Sequence, residues 1–316
     1  MVKNKITIKK SITIYENHLN VVGKANTTIE AYANDMFIFY NFIKIKLNNK
    51  IAYTNQIKIQ HLELYKEYLR NDCKYQLSTA SRKFNCLRHY LKYLNNLSYI
   101  NPEIIFFLNN DKFGNSKKDK FTDKIKLLSD ETVKNILIKL ENSNKNNKFR
   151  DNCIIRLLIF TGMRRSEILN LQWKHLNLST GELTIFRPKS STVDTVQLCN
   201  TLIYYLTEYR RINYSNNAFN VQEYIFTGKE KDKTLSKCAY NNLIKIYTKE
   251  FRDLDGNKIT GHTFRHTFIT NCIRNDIPLP VIQRFVGVDL LTLQYYTHLV
   301  TTDTKPVNET LEKLYA

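Results

Sequence analysis

The sequence predicts a mainly α protein with one small antiparallel β-sheet, laid out as a helical domain followed by a mixed α/β domain. Apolar residues recur at helical spacing through most of the chain. Two neighbouring stretches, ELTIF at 182–186 and DTVQLC at 194–199, read instead as strands. A polar, charged stretch over 109–125, NNDKFGNSKKDKFTDKI, then separates two patterned regions. The 316 residues are enough for two domains of ordinary size, and 42% apolar with 12% aromatic content can fill their cores.

The first twenty residues carry a Lys/Ile alternation that reads as a short exposed strand or an arm. Residues 26–44 open on the capping candidates Asn26 and Thr27 and then place Ile29, Tyr32, Met36 and Phe39 at helical spacing. A shorter helix is predicted over 62–70. Over 78–94, Phe84, Leu87, Leu91 and Leu94 share one face, with Arg82, Lys83, Arg88 and Lys92 on the others. These make a helical domain over 11–107 with basic outer faces, and the linker takes 108–125. It is read either as a plain solvated connector or as a basic strap along a polyanion.

The second domain, 126–316, starts with a helix capped by Ser129. A buried helix over 152–162 follows, then a short one in MRRSEILNLQW. The two strands are joined by RPKSSTV, an exposed hairpin tip carrying Arg187 and Lys189. Helices are expected at 200–212, 235–251, 261–275 and 278–287, ahead of the segment containing Tyr295 and Tyr296.

Lys and Arg number 48 against 29 Asp and Glu, a formal charge of +19. That excess points to a polyanionic partner: nucleic acid, an acidic membrane surface or an acidic protein. A Lys-, Asn- and Ile-rich composition is also what an AT-rich genome produces. No apolar run reaches the ~18 residues needed to span a bilayer. The start lacks the apolar segment of a signal peptide. The six cysteines show neither metal-ligand nor disulfide-framework spacing, so buried free thiols and a cytoplasmic location are expected.

Chemistry concentrates in four short stretches. In GHTFRHT, His262 and Arg265 are three residues apart and share a helical face. Arg164 follows a Thr-Gly turn in TGMRRSE, Lys189 sits on the hairpin, and the paired tyrosines come near the end. Each signal alone is weak, since a His-x-x-Arg or an arginine beside Glu167 is commonly only structural.

Taken together and in this order, they closely resemble the tyrosine recombinase (phage integrase) family. TGMRRSEILNLQW resembles its first arginine box, which selects Arg164 over Arg165. Lys189, eight residues before Gln197, has the spacing of the family's hairpin lysine. HTFRHT resembles its His-x-x-Arg box, and YYTHL its nucleophile segment, which selects Tyr296. TTIEAYANDMFIFYNF and LSTASRKFNCLRHYLKYL are similar to its helical core-binding domain.

The resemblance implies a core-binding domain followed by a catalytic domain that cuts and rejoins DNA through a 3′-phosphotyrosyl link. Catalytic roles would fall to Arg164, Lys189, His262, Arg265 and Tyr296. Arginines suit the non-bridging phosphate oxygens because a guanidinium donates in a planar fork. A tyrosine, with a pKa near ~10, needs that neutralised phosphate before it can attack. The covalent intermediate conserves the phosphodiester energy, so no nucleotide cofactor is implied.

No metal is implied either. Glu167 and Asp289 are too few and too badly spaced for a two-metal nuclease, and Glu167 is expected to orient an arginine. The implied partner is double-stranded DNA with an inverted-repeat site, gripped by a tetramer. Arg82, Lys83, Arg88 and Arg187 are the expected DNA contacts. A C-terminal helix with Leu311 and Leu314 is expected to dock on a neighbouring subunit. The length, without an extra arm-binding domain, leans towards the simpler Xer-like architecture, and both a mobile-element integrase and a chromosome-dimer resolvase stay open.

One departure stands out. Family members commonly read Gly-His, or carry Trp, where this chain has Gly287-Val288, and the stretch to Tyr296 is one residue short. Losing one hydrogen bond to a charged group costs about 1.5–3 kcal/mol, roughly ten- to a hundredfold in rate. A type IB topoisomerase-like enzyme and a DNA-binding remnant without catalysis are the competing readings.

Overall fold

The computed structural model describes residues 5–111, 113, 125–145, 147–187, 192–214, 223–228 and 232–300, with the side chains of 298–300 excepted. Lys189, most of the 108–125 linker and the expected C-terminal helix with Leu311 and Leu314 lie outside the described residues. The chain divides into two compact units, Met1–Thr122 and Asp123–Ala316.

The first unit is helical: α1 (Ile8–Val21), α2 (Asn26–Lys46), α3 (Ile59–Glu67), α4 (Leu77–Asn96) and α5 (Pro102–Asn110). The expected N-terminal strand or arm is instead helix α1. Ile8, Ser11, Tyr15 and Leu19 recur at helical spacing and are buried, and Thr7 caps the helix by accepting from the Lys10 N–H. Ser11 Oγ meets Tyr90 Oη of α4 at 2.5 Å, satisfying two buried hydroxyls at once. Helix α2 starts at the expected residue, but Ala25 occupies the cap position and contributes no side-chain bond. Asn101 and Pro102 start α5 as a cap and first-turn proline should.

The basic faces expected on α4 are largely turned inward. Asp35 of α2, 1% exposed, accepts from Arg82 at 2.5 and 2.8 Å and from Lys83 at 2.8 Å. Lys83 is itself buried, and Arg88 pairs with Asp111 at 2.9 Å. Lys66 joins the same Asp111 at 2.6 Å. Lys83 and Arg88 are therefore ion-pair partners that tie helices together, whereas Arg82 and Lys92 remain exposed. A buried carboxylate is tolerable only with such partners, which is why these cations were drawn off the surface.

The second unit begins with α6 (Asp130–Glu141), where Ser129 Oγ accepts from the Thr132 N–H at 3.1 Å, as expected. Next come α7 (Lys148–Thr161) and the short α8 (Arg165–Leu169). A three-stranded antiparallel sheet follows: β1 (Leu176–Asn177), β2 (Glu182–Arg187) and β3 (Thr192–Gln197), in the order β1-β2-β3. Leu183 pairs with Val196 and Ile185 with Asp194, so Leu183, Ile185 and Arg187 all point inward from β2.

After α9 (Asn200–Tyr214) and α10 (Lys237–Thr248) come α11 (Gly261–Arg274), α12 (Leu279–Val286) and α13 (Leu290–Val300). One core gathers α7, β2, α9 and α10 around Ile154, Leu158, Ile185, Leu202 and Phe226. A smaller one packs Ile269, Ile273, Ile282, Val286, Leu293 and Tyr296 between the last three helices. All six cysteines are free; Cys86 and Cys153 are buried, whereas Cys199 and Cys238 are exposed, contrary to the general expectation of burial. No described helix is long and apolar enough to cross a membrane.

Candidate active site

Helix α7 ends at Gly162, whose φ of +59° reverses the chain in the left-handed conformation that suits glycine. A Cβ at that position would lie 2.6 Å from the Phe268 ring, so the close approach of α11 also requires glycine. The turn delivers Arg164 to the start of α8. Buried Glu167 accepts from the Arg164 backbone N–H at 2.7 Å through Oε2 and from its Nη1 at 2.8 Å through Oε1. The expectation that Glu167 orients an arginine matches this geometry. Arg165 turns towards Asn241 instead.

Arg265 projects from α11 and is 7% exposed. Its Nη1 donates to the Gly162 carbonyl at 2.6 Å and its Nη2 to the Val286 carbonyl. Arg164 reaches the same turn, donating to Val286 O at 3.2 Å and Gly287 O at 2.7 Å. The two guanidinium groups thus converge on the carbonyl end of α12, the negative end of its dipole. Each retains N–H donors with no protein acceptor among the described residues. Burial, with Arg164 beside it, pulls Arg265 down to about 10. It remains a cation at neutral pH, and a second anion would relieve its environment.

Arg187 corrects the sequence-based expectation. Predicted at an exposed hairpin tip as a DNA contact, it is 2% exposed at the inward-facing end of β2. Its Nε donates to Asp194 at 2.5 Å, Nη1 to Glu167 at 3.1 Å, and Nη2 to the carbonyls of Arg284 and Phe285 at 2.6 and 2.9 Å. Gly287, at φ +57°, leaves just enough room: a Cβ there would lie 2.5 Å from Arg187 Nε and Nη1. One buried arginine therefore joins the base of the hairpin, the carboxylate that holds Arg164, and the last turn of α12.

His262 sits in the first turn of α11. Loss of water around its ring, then the Arg265, Arg165 and Arg164 charges, lower its pKa. Tyr296 lies on α13, 5% exposed, among the residues of the smaller core. Burial raises its pKa, and Arg265 pulls in the opposite direction. Tyr295 is half-buried with its ring perpendicular to that of Tyr296, so the deeper burial falls on the tyrosine expected to react. Val288 is half-buried against the same core. Asp289 caps α13 by accepting from the Thr292 N–H at 2.6 Å.

The sequence reading missed His266. Its Nδ1 lies 2.6 Å from Tyr296 Oη. Burial, then His262, Arg265 and Lys126, push its pKa down to about 4, so the ring is neutral near pH 7. The signal was present in GHTFRHT, where His266 follows His262 by four residues and so shares its helical face. The structure therefore brings Arg164, Arg265, His262 and Tyr296 to one region, with His266 added; Lys189 lies just beyond the described end of β2.

Two converging arginines, neutral imidazoles and a phenol around one helix end define a site suited to a single phosphate group. The profile of the phage integrase family matches residues 126–302, more than half of the chain. The chain belongs to this family, the tyrosine recombinases. The tyrosine recombinase XerD of Staphylococcus epidermidis is 28% identical over 294 residues, covering 91% of this chain and 94% of the relative. A tyrosine recombinase of Agathobacter rectalis is 28% identical over 297 residues, covering 89% and 88%.

Among solved structures, the Tn1549 transposon integrase in complex with circular intermediate DNA superposes with a TM-score of 0.70 at 18% identity, covering 98% of this chain and all of that one (100%). The XerH recombinase bound to its difH substrate, a pre-cleavage complex, gives 0.67 at 18% identity, covering 92% and 82%. These structures share the fold.

Proposed function

We propose that this chain is a site-specific DNA recombinase that cuts and rejoins double-stranded DNA through a 3′-phosphotyrosyl intermediate. The convergence of Arg164 and Arg265 on the Val286–Gly287 turn, within the same small unit as the Tyr296 hydroxyl, carries this reading. The remaining donors of both arginines hold the non-bridging oxygens of the scissile phosphate. They also stabilise the charge that builds in the pentavalent transition state. Tyr296 attacks phosphorus, Lys189 protonates the departing 5′ oxygen, and His262 positions the phosphate.

The first unit is proposed as the core-binding domain, with Arg82 its exposed basic contact. Relatives and fold neighbours are described as recombinases or as bound to DNA, which supports a DNA partner; an inverted-repeat site and assembly into a tetramer are the further parts of this reading. Integration, excision or dimer resolution all use this chemistry. A nicked suicide duplex bearing an inverted repeat selected by the protein from random DNA tests the reading. A covalent protein–DNA adduct with a free 5′-hydroxyl is expected. Relaxation of a supercoiled plasmid irrespective of site would favour a topoisomerase, and the absence of any adduct would leave a DNA-binding remnant.

A further inference from the structure

We infer that His266 accepts the phenolic proton of Tyr296 as the tyrosine attacks phosphorus, an assignment that rests on the recombinase reading and deepens it. The contact carries it: Nδ1 and Oη are 2.6 Å apart, with ring centroids 5.8 Å apart and tilted by 32°. No other described group is hydrogen-bonded to the phenol. A buried O–H needs an acceptor, so Tyr296 donates to Nδ1 and the ring hydrogen of His266 resides on Nε2. His262, one turn earlier on α11, has its ring centroid 6.5 Å from that of His266 and makes no bond to Tyr296. The geometry thus divides the two imidazoles, one beside the phenol and one left for the phosphate.

The surroundings of His266 supply the switch. His262 and Arg265 on α11 and Lys126 ahead of α6 face it with positive or potentially positive charge, and Tyr296 faces it from α13. In this field the ring resists protonation, remaining an acceptor. A phosphodiester held by Arg164 and Arg265 adds a negative charge to the same cluster. Proton uptake by His266 then becomes favourable at the moment the phenol must lose its proton.

The step balances. The Tyr296 Oη–phosphorus bond forms while the phosphorus–O5′ bond breaks. The phenolic proton moves to His266 Nδ1, and the departing oxygen takes a proton from Lys189. In rejoining, the 5′-hydroxyl attacks phosphorus and gives its proton back to Lys189, the phosphotyrosyl bond breaks, and the imidazolium returns its proton to the phenolate.

The test is the single-turnover rate of adduct formation on the nicked suicide duplex. His266→Asn keeps a hydrogen-bonding atom near the Nδ1 position but has no basic nitrogen. The rate should fall about 10²-fold, and the decline of the wild-type rate at acid pH should disappear. A duplex with sulfur in place of the bridging 5′ oxygen needs no acid for departure. It should restore Lys189→Ala and leave His266→Asn slow.

His266→Ala should be comparably slow and partly rescued by added imidazole, while tryptophan fluorescence in urea checks that both variants fold. His266→Asn within threefold of wild type, with an unchanged pH profile, would overturn the assignment, as would its recovery on the sulfur substrate. If the wild-type protein forms no adduct at all, the recombinase reading itself fails, an outcome seen before any variant is made.

Discussion

Replacing Arg187 with methionine keeps most of the side-chain volume and removes the guanidinium. Four acceptors depend on that group: Asp194, Glu167, and the carbonyls of Arg284 and Phe285. Asp194, whose side chain is 25% exposed, can turn to water. Glu167, 2% exposed, cannot, and would retain only Arg164 as partner. Breaking one side of a buried ion-pair cluster costs about 3–5 kcal/mol. For a unit of this size that corresponds to a drop of roughly 6–20 °C in melting midpoint. The single tryptophan, Trp173, is 3% exposed in the second unit and reports its unfolding separately from the first. Arg187→Lys should recover less than half of the loss, because an ammonium has three donors for four acceptors. A midpoint within 2 °C of wild type, corresponding to about 1 kcal/mol or less, would refute the claim that Arg187 is a structural tie.

Three further outcomes are expected. Asp35→Ala should destabilise the first unit by about 3–5 kcal/mol, since it strands buried Lys83; the urea dependence of the helical circular dichroism signal measures it. Val288→His should speed adduct formation roughly ten- to a hundredfold if an imidazole there can donate to the phosphate, read by quench-flow on the suicide duplex. For pH, the folded-state pKa of His266 is lowered from 6.5 to about 4, so the folded form binds fewer protons than the unfolded form within that window. Its contribution to stability is fully present above pH 6.5 and is lost as pH falls towards about 4. His266→Asn should therefore flatten the dependence of the Trp173 unfolding midpoint over this range.

What could be read from the sequence was local. The stripe Phe84, Leu87, Leu91 and Leu94 marks α4 because one helix face carries its own periodic signal, and all four are buried. Ser129 is legible as a cap because its partner is three residues away. Helix α1 was misread because its isoleucines alternate while Ile8, Ser11, Tyr15 and Leu19 also fit a helix; packing on α4 decides between the two patterns. Arg187 was misplaced because its partners lie 20 and 97 residues away, in α8 and α12, and a basic residue near a hairpin looks exposed until that core is built. Likewise nothing local announces that His266 meets Tyr296, 30 residues later. The arginine and His-x-x-Arg stretches were conspicuous because each is compact, whereas their convergence on one carbonyl turn is a product of the fold.

The central claim is that the Tyr296 hydroxyl becomes covalently joined to DNA. Peptide mapping by mass spectrometry of the adduct trapped on a nicked suicide duplex tests it most directly. The account predicts a nucleotide-bearing peptide with the modification on Tyr296, loss of the adduct in Tyr296→Phe, and its retention in Tyr295→Phe. An adduct carried by Tyr295, or one that survives Tyr296→Phe, would contradict it.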